Sequence, residues 1–210
     1  MNKTKIEWCD YTWNPIVGCL RGCPYCYAKK IAHRFGMLFA PHVIWERFEA
    51  KCPKDKIIFA NSMSDPEYWL EDWKCDLGDY AIKNPESIFV ILSKDRFCLE
   101  YWKDVENIRT VWTITHPKQL WEDYSGYINL EPLLFIPEPS QLKKYKGVII
   151  GLETGNRKYK WMPDKEVFMS FIFNLPASAN VFLKDTVINY LGLFLPVENK
   201  KEFWKTGGAV

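Results

Sequence analysis

The chain has 210 residues, of which 48% are hydrophobic and 26% charged, and its formal net charge at pH 7 is +2. No low-complexity tract interrupts it, and no apolar run reaches the roughly 18 residues of a membrane-spanning helix. We therefore expect a soluble single domain over residues 1–210, with no membrane partner and no charge excess that demands a nucleic-acid partner.

Short β-rich runs alternate with helical segments along the chain. The pattern predicts seven strands, at 14–18, 56–61, 88–93, 111–115, 126–130, 147–152 and 180–184. It predicts helices at 26–35, 66–73, 95–102, 117–124 and 164–174. This βα alternation is typical of a parallel sheet. We expect an α/β fold, a partial (β/α) TIM-like barrel of about six to seven parallel strands, with a core over 5–185 and a helical or extended tail over 186–210.

Three cysteines are grouped after the first predicted strand, in the sequence Cys19-Leu20-Arg21-Gly22-Cys23-Pro24-Tyr25-Cys26. We call residues 19–26 the cysteine loop. Three thiolates in the spacing C-x3-C-x2-C can hold three corners of a cubane iron–sulfur cluster and leave one iron open to a further ligand. An open iron indicates catalysis rather than a purely structural site.

Two other uses of these cysteines fit less well. A structural zinc site needs a fourth ligand in a second pair, and the nearest candidate, His33, lies seven residues past Cys26. Disulfides are disfavoured because the chain starts without a signal-peptide pattern and has seven cysteines, so we expect a reduced cytoplasmic protein. The other four are scattered singly among apolar or charged neighbours and are expected to serve as packing residues: Cys9, Cys52, Cys75 and Cys98.

Polar clusters follow six of the predicted strands, where a barrel carries its functional groups. They are Asn61–Asp65, Ser93–Arg96, Thr113–His116, Asn129–Pro132, 151–155 and Lys184–Asp185. Lys94, Arg96 and Lys184 would place positive charge at the same end of the barrel, an arrangement suited to a phosphate.

Several of these segments together resemble one known family. They are Trp8, Trp13–Pro15, Gly18-Cys19, Cys26–Ala28, Asn61–Asp65, Glu131–Leu134 and 151–155. The chain is similar over 5–185 to a phage-type family of the radical S-adenosylmethionine (radical SAM) superfamily, formerly a domain of unknown function and distantly similar to spore photoproduct lyase. It departs from that family in a shorter loop between its first two cysteines and in Leu152-Glu153-Thr154-Gly155, where relatives have a Gly-Glu-Ser-Gly-like turn. A third departure is Thr115-His116, where relatives carry an acidic residue.

The resemblance implies a [4Fe–4S] cluster on Cys19, Cys23 and Cys26, bound SAM, and a 5′-deoxyadenosyl radical that abstracts hydrogen from a substrate. It implies SAM contacts from Tyr25, Asn61, Ser62, Ser64, Asp65, Thr113, Thr115 and Asn129. The residues then left to meet substrate as catalytic groups are Glu131, Glu153, His116 and Lys184, each of which reads equally well as an ordinary solvated or salt-bridged loop residue.

The resemblance also implies a flavodoxin- or ferredoxin-like reducing partner and a phage protein working in the host cytoplasm. Its substrate is then expected to be a nucleotide or a modified base, such as a decorated thymidine in phage DNA that the enzyme rearranges as an isomerase or lyase. Two alternatives stay open: a radical SAM enzyme that acts on a peptide or small metabolite, and a zinc-stabilised nucleic-acid-binding protein.

Overall fold

The computed structural model describes residues 1–154, 157–194 and 200–205. The chain divides into two compact units, Met1–Val111 and Trp112–Val210. Both units combine helices with parallel strand pairs, and the first unit also has antiparallel pairs; this mixture confirms the α/β class. The described strands are not seen to close into a barrel. No helix in the described part of the chain has both the length and the apolar character needed to cross a membrane.

The first unit contains six strands, the start of a seventh, and two α-helices. The strands are β1 (Asn2–Lys3), β2 (Tyr11–Thr12), β3 (Ile16–Val17), β4 (His42–Val43), β5 (Ile57–Phe59), β6 (Ile88–Ser93) and β7 (Ile108–Thr113), the last of which ends in the second unit. The helices are α1 (Tyr27–Arg34) and α2 (Glu71–Ile82), with 3-10 turns at Trp45–Arg47, Pro66–Tyr68 and Phe97–Trp102.

The parallel ladder of this unit starts earlier in the chain than the sequence predicts. β2 pairs with β5 through Tyr11↔Ile58, and β5 pairs with β6. The strand predicted at 14–18 is reduced to β3, which pairs antiparallel with β4 in a separate two-stranded sheet. The reason is Pro15, which has no N–H to donate to a ladder. The cysteine loop therefore follows β3 and not a strand of the parallel ladder.

The second unit is built on three parallel strands, β8 (Tyr127–Leu130), β9 (Gly147–Ile150) and β10 (Val181–Leu183). Its helices are α3 (Lys165–Phe173), α4 (Asp185–Leu191) and α5 (Lys200–Lys205), with 3-10 turns at Pro117–Trp121 and Pro139–Lys144. All residues of β8 and β9 are buried, as expected for strands covered on both faces. Of the tail predicted over 186–210, the described residues 186–194 and 200–205 hold the rest of α4 and all of α5, and the other positions lie outside the described residues.

The predicted helices differ most from the structure where the chain forms 3-10 turns. The segment predicted at 66–73 is a 3-10 turn followed by α2, and those at 95–102 and 117–124 contain only 3-10 turns. Asp65 caps the first of these turns by accepting from Glu67 N. Asp164 caps α3 by accepting from the N–H groups of Glu166 and Val167, as the sequence predicts.

An aromatic cluster forms the core of the first unit around Trp13. Its ring lies 4.2 Å from Tyr80, 5.4 Å from Phe48 and 5.9 Å from Phe89, measured between ring centroids. The indole N–H donates to the carbonyl oxygen of Arg47 at 2.9 Å. Trp13 thus fixes the segment between β2 and β3, which leads into the cysteine loop.

Candidate functional site

The cysteine loop carries three free, partly exposed thiols. The backbone N–H of Arg21 donates to Cys19 Sγ at 3.5 Å, and that of Lys29 donates to Cys26 Sγ at 3.3 Å. Cys26 is the N-cap of α1, so the last sulfur of the loop is held at the start of a helix. Such N–H···S bonds orient thiol ligands and tune a metal centre that they hold.

The ionisable groups of the loop interact with one another. Burial raises the pKa of the Cys19 thiol to about 11, the Arg21 N–H opposes this, and Asp65 and the other two thiols add to the increase. The pKa of Tyr25 is also raised, by burial first and then by the charge of Cys23. Metal binding at this loop would have to displace the thiol protons.

A second loop, Asn61–Asp65, lies against the start of the cysteine loop; we call it the polar loop. Gly18 N donates to the carbonyl oxygen of Met63 at 3.0 Å, and Ser64 Oγ donates to the carbonyl oxygen of Gly18 at 2.6 Å. Asn14 Oδ1 accepts from both Met63 N, at 2.9 Å, and Ser62 Oγ, at 3.1 Å. The structure thus brings together two segments for which the sequence predicts cofactor binding.

Gly18 is required where these loops meet. Its φ is +97°, and a Cβ atom there would stand 2.1 Å from the carbonyl oxygen of Ala40. Only glycine fits such a position without moving the backbone.

Asp65 anchors the polar loop to β6. It is 6% exposed, and its Oδ1 accepts from Ser93 Oγ at 2.6 Å while its Oδ2 accepts from Lys94 N at 3.3 Å. The side chain of Asn61 exchanges two hydrogen bonds with the backbone of Leu92, at 2.6 and 3.0 Å. Asn61 and Asp65 therefore shape the loop in addition to any contact with a ligand.

Sequence reasoning missed an ion pair that joins the two loops. The guanidinium of Arg21, inside the cysteine loop, binds the carboxylate of Glu67, and its Nε lies 4.0 Å from Asp65 Oδ2. Arg21 and Glu67 are 46 positions apart, so no local pattern signals their contact.

In the second unit, Asn129 carries a buried acceptor with which no described residue forms a hydrogen bond. The residue is 3% exposed, and its Nδ2 donates at 3.4 Å to Thr113 Oγ1 and to the carbonyl oxygen of Glu131. Its Oδ1 has no hydrogen-bond partner within the described residues. A buried oxygen in this state is uncommon in native proteins and is suited to a ligand that donates a hydrogen bond.

Two further predicted residues of this unit, the half-buried Thr115 and the exposed His116, directly precede the turn at Pro117–Trp121. Both backbone N–H groups donate to Gln119 Oε1 at 2.9 Å. His116 is exposed, and its Nδ1 accepts from Lys118 N at 3.1 Å. His116 thus caps the turn at Pro117–Trp121.

Two acid–base pairs hold the other predicted catalytic residues. Lys184 Nζ lies 2.5 Å from Glu131 Oε1, and Lys184 is 8% exposed. A Cβ at Gly151 would come within 2.9 Å of Lys184 and 3.1 Å of Glu131, so glycine makes room for this pair. The buried Glu153 binds the Arg157 guanidinium with two hydrogen bonds, at 2.7 and 2.5 Å.

The three cations that the sequence predicts beside a phosphate, Lys94, Arg96 and Lys184, have different surroundings. Lys184 is compensated by Glu131 and adds no net charge for a phosphate. In the first unit, Lys94 Nζ lies 5.9 Å from the centre of the Tyr25 ring, and the Arg96 guanidinium lies 4.6 Å from that of Phe97.

Among residues 1–154, 157–194 and 200–205, no three His, Cys, Asp or Glu side chains group as ligands of one metal ion. A zinc site needs four ligands that converge on a point. In a cubane each thiolate binds a different iron, so its three sulfurs need not converge. Three free thiols in one short loop, two of which accept backbone N–H bonds, fit the ligand set of a cubane.

A comparison with known families matches residues 3–167 to the family described as Protein of unknown function (DUF5131). The chain belongs to this family. The matched span of this DUF5131 protein includes the cysteine loop, the polar loop, Asn129 and Glu153, whereas Lys184 lies beyond it. No curated protein and no solved structure matches the chain.

Proposed function

We propose that this DUF5131 protein is a radical SAM enzyme that holds a [4Fe–4S] cluster on Cys19, Cys23 and Cys26. The observation that carries the proposal is the loop itself: three free thiols within eight residues, two of them accepting backbone N–H bonds. No fourth cysteine lies in the loop, which leaves one iron for SAM.

When bound, the cluster and SAM supply a one-electron cleavage that gives methionine and a 5′-deoxyadenosyl radical. The chain's own residues bind and orient these groups. In the proposal, the hydroxyl of Ser62 and the carboxylate of Asp65 accept from the SAM ammonium, since a cation of this kind needs oxygen acceptors. Asn61 and Ser64 keep the polar loop in place through their bonds to Leu92 and Gly18.

We assign ribose recognition to Asn129. Its buried Oδ1 needs a donor, and a ribose hydroxyl supplies one. Thr113, which accepts from Asn129 Nδ2, positions that amide. Thr115 is proposed as a second hydroxyl beside the same ligand.

The partial barrel expected from the sequence is also part of this proposal. A partial (β/α) barrel of about six to seven strands would place its functional groups at the carboxyl ends of the strands. Parallel pairing within each unit supports it. So does the position of the polar residues, because Ser93 ends β6 and Glu131, Gly151 and Lys184 come directly after β8, β9 and β10.

We infer that the substrate is a nucleotide or a modified base in DNA, rearranged by hydrogen abstraction. The resemblance of the sequence motifs to those of phage radical SAM proteins, together with the cations Lys94 and Arg96, supports this class. In the second unit, the paired groups of Lys184 and Glu153 are proposed to hold polar atoms of the substrate by charge-assisted hydrogen bonds. His116 is exposed beside its turn and is proposed to contact the solvent-facing part of the substrate.

The first test is anaerobic purification, reconstitution with iron and sulfide, and measurement of iron, visible absorption and 5′-deoxyadenosine formed from SAM with dithionite. We expect about four irons per chain and deoxyadenosine formation. Cys23→Ala should lose both, whereas Cys75→Ala, an exposed cysteine outside the loop, should keep both.

A colourless protein with one zinc and no deoxyadenosine would overturn the proposal. If deoxyadenosine forms, nucleosides, nucleotides and phage-type modified DNA are offered as substrates beside peptides. Consumption of SAM with a peptide or small metabolite alone would reject the nucleic-acid substrate and keep the radical chemistry.

A further inference from the structure

Two side chains hold the cysteine loop against the polar loop beyond the contacts of Gly18. The guanidinium of Arg21, in the middle of the cysteine loop, binds the carboxylate of Glu67, two residues past the polar loop. The hydroxyl of Tyr27, directly after the last cysteine, donates to the carbonyl oxygen of Ser62 at 2.5 Å. These contacts fix the middle and the end of the segment that carries the three thiols. We call Arg21, Tyr27 and Glu67 the loop clamp.

The ion pair of the loop clamp is poorly arranged for stability alone. The side chains of Arg21 and Glu67 are 30% and 29% exposed, and a partly exposed ion pair adds little stability because water screens it. Arg21 Nε is buried, lies 4.0 Å from Asp65 Oδ2 and forms no hydrogen bond within the described residues. A buried donor in this state costs stability. The ion pair therefore contributes position more than stability.

Position matters here because SAM would have to contact both loops at once. In the proposed function, the open iron of a cluster on the cysteine loop and the oxygen acceptors of Ser62 and Asp65 bind the same SAM molecule. A ligand that is held at two places binds more tightly when the spacing between those places is fixed beforehand, since less freedom is lost on binding.

We propose that Arg21 and Tyr27 are positioning residues, which hold the cysteine loop at the distance from the polar loop that SAM requires. The inference rests on the proposed function, because only a cluster and SAM give this spacing a use. Neither side chain has to touch SAM. Arg21 acts through Glu67, and Tyr27 acts through the backbone of Ser62. Loss of either contact should therefore weaken SAM binding while the cluster and the fold persist.

The test measures the affinity of the reconstituted protein for SAM by equilibrium dialysis. Arg21→Met and Glu67→Gln should each weaken SAM binding about tenfold, and the double variant should be no weaker than either, because both substitutions break one contact. Tyr27→Phe removes only a hydroxyl and should weaken binding about threefold. Arg21→Lys keeps a cation for Glu67 and should recover part of the affinity.

Matched controls come from an exposed ion pair elsewhere in the same unit. Lys54 Nζ lies 3.0 Å from Glu86 Oε2, and Lys54→Met or Glu86→Gln should leave SAM affinity unchanged.

Three further readings separate positioning from a merely structural role. Iron content and the midpoint of urea denaturation should stay at the wild-type values in the Arg21, Glu67 and Tyr27 variants. In the dithionite assay the KM for SAM should rise with the dissociation constant, while the rate at saturating SAM stays within about twofold of the wild type.

Unchanged SAM affinity in Arg21→Met and Glu67→Gln, beside a wild type that forms deoxyadenosine, would overturn the inference and keep the proposed function. Loss of iron from these variants would also overturn it, because Arg21 would then support cluster assembly. A wild type with no cluster and no deoxyadenosine would reject the proposed function and this inference with it. Weaker SAM binding at full iron content and an unchanged urea midpoint supports the inference.

Discussion

The hydroxyl of Ser64 donates a 2.6 Å hydrogen bond to the carbonyl oxygen of Gly18, the residue directly before Cys19. The same two residues form a parallel β-bridge, and Ser64 Oγ also accepts from the indole N–H of Trp69 at 2.7 Å. One side chain of the polar loop thus fixes the point where the cysteine loop begins.

Ser64→Ala should lower the free energy of unfolding by about 1–3 kcal/mol, because the Gly18 carbonyl and the Trp69 indole each lose a partner. Urea denaturation measures the change. Ser125→Ala, at an exposed serine, should shift the midpoint little. Equal effects of the two substitutions would show that the Gly18 contact contributes nothing measurable.

Gly18→Ala should cost about 3–4 kcal/mol, since the new Cβ would meet the Ala40 carbonyl and the residue has a positive φ. Gly22 provides the matched control, with a φ of +70° and open space around the position of a Cβ. Gly22→Ala should cost only about 1 kcal/mol, the conformational part of the effect. Thermal unfolding of both variants separates backbone strain from steric overlap. A smaller loss of stability for Gly18→Ala than for Gly22→Ala would contradict this explanation.

Lys184→Met should destabilise the protein by about 2–4 kcal/mol, because it leaves the Glu131 carboxylate without its cation. Adding Glu131→Gln should restore part of that loss, since the uncompensated charge is removed. A double-mutant cycle in urea measures the coupling between the two residues. Simple additivity of the two single substitutions would mean that the ion pair is not formed in solution.

Asn129→Leu should abolish SAM binding and lower the free energy of unfolding by at most about 1–3 kcal/mol. The substitution removes the buried Oδ1, which has no partner in the described residues, but Thr113 Oγ1 and the Glu131 carbonyl oxygen each lose a donor. Equilibrium dialysis with SAM and urea denaturation provide the two readings. Unchanged SAM affinity would remove Asn129 from the ligand site.

Trp13→Ala should cost about 3–5 kcal/mol, because it empties the centre of an aromatic cluster and removes the bond to the Arg47 carbonyl. Trp121, which is 79% exposed, is the matched control, and Trp121→Ala should change stability by no more than about 0.5 kcal/mol. Urea denaturation again gives the comparison. A small loss at Trp13 would indicate that the cluster repacks around the gap.

The strands of the second unit were predictable because each is a short run of mainly apolar residues. Gly147–Ile150 is buried throughout and lies within the predicted strand at 147–152. The strand predicted at 14–18, in the first unit, was predicted less accurately. Its apolar residues indicated a strand correctly, but a one-dimensional pattern does not say that Ile16 pairs with Val43, 27 residues later, rather than with the parallel ladder.

The extent of several helices was not predictable for a similar reason. The segment at 95–102 has helical composition, yet it forms a 3-10 turn over Phe97–Trp102. A short helix draws most of its stability from packing, and packing depends on neighbours that local sequence does not specify. Capping residues were more dependable, as at Asp164, because a cap is a contact within a few residues.

The sequence alone determined the α/β class and the spacing of the three cysteines, because apolar periodicity and ligand spacing are local properties of the chain. Only the tertiary structure decided that Arg21 pairs with Glu67, that Ser64 holds Gly18, and that Lys184 is compensated by Glu131. These contacts join residues that are 46 to 53 positions apart in the sequence. They form because folding removes distant polar groups from water together, and each such group then needs a partner.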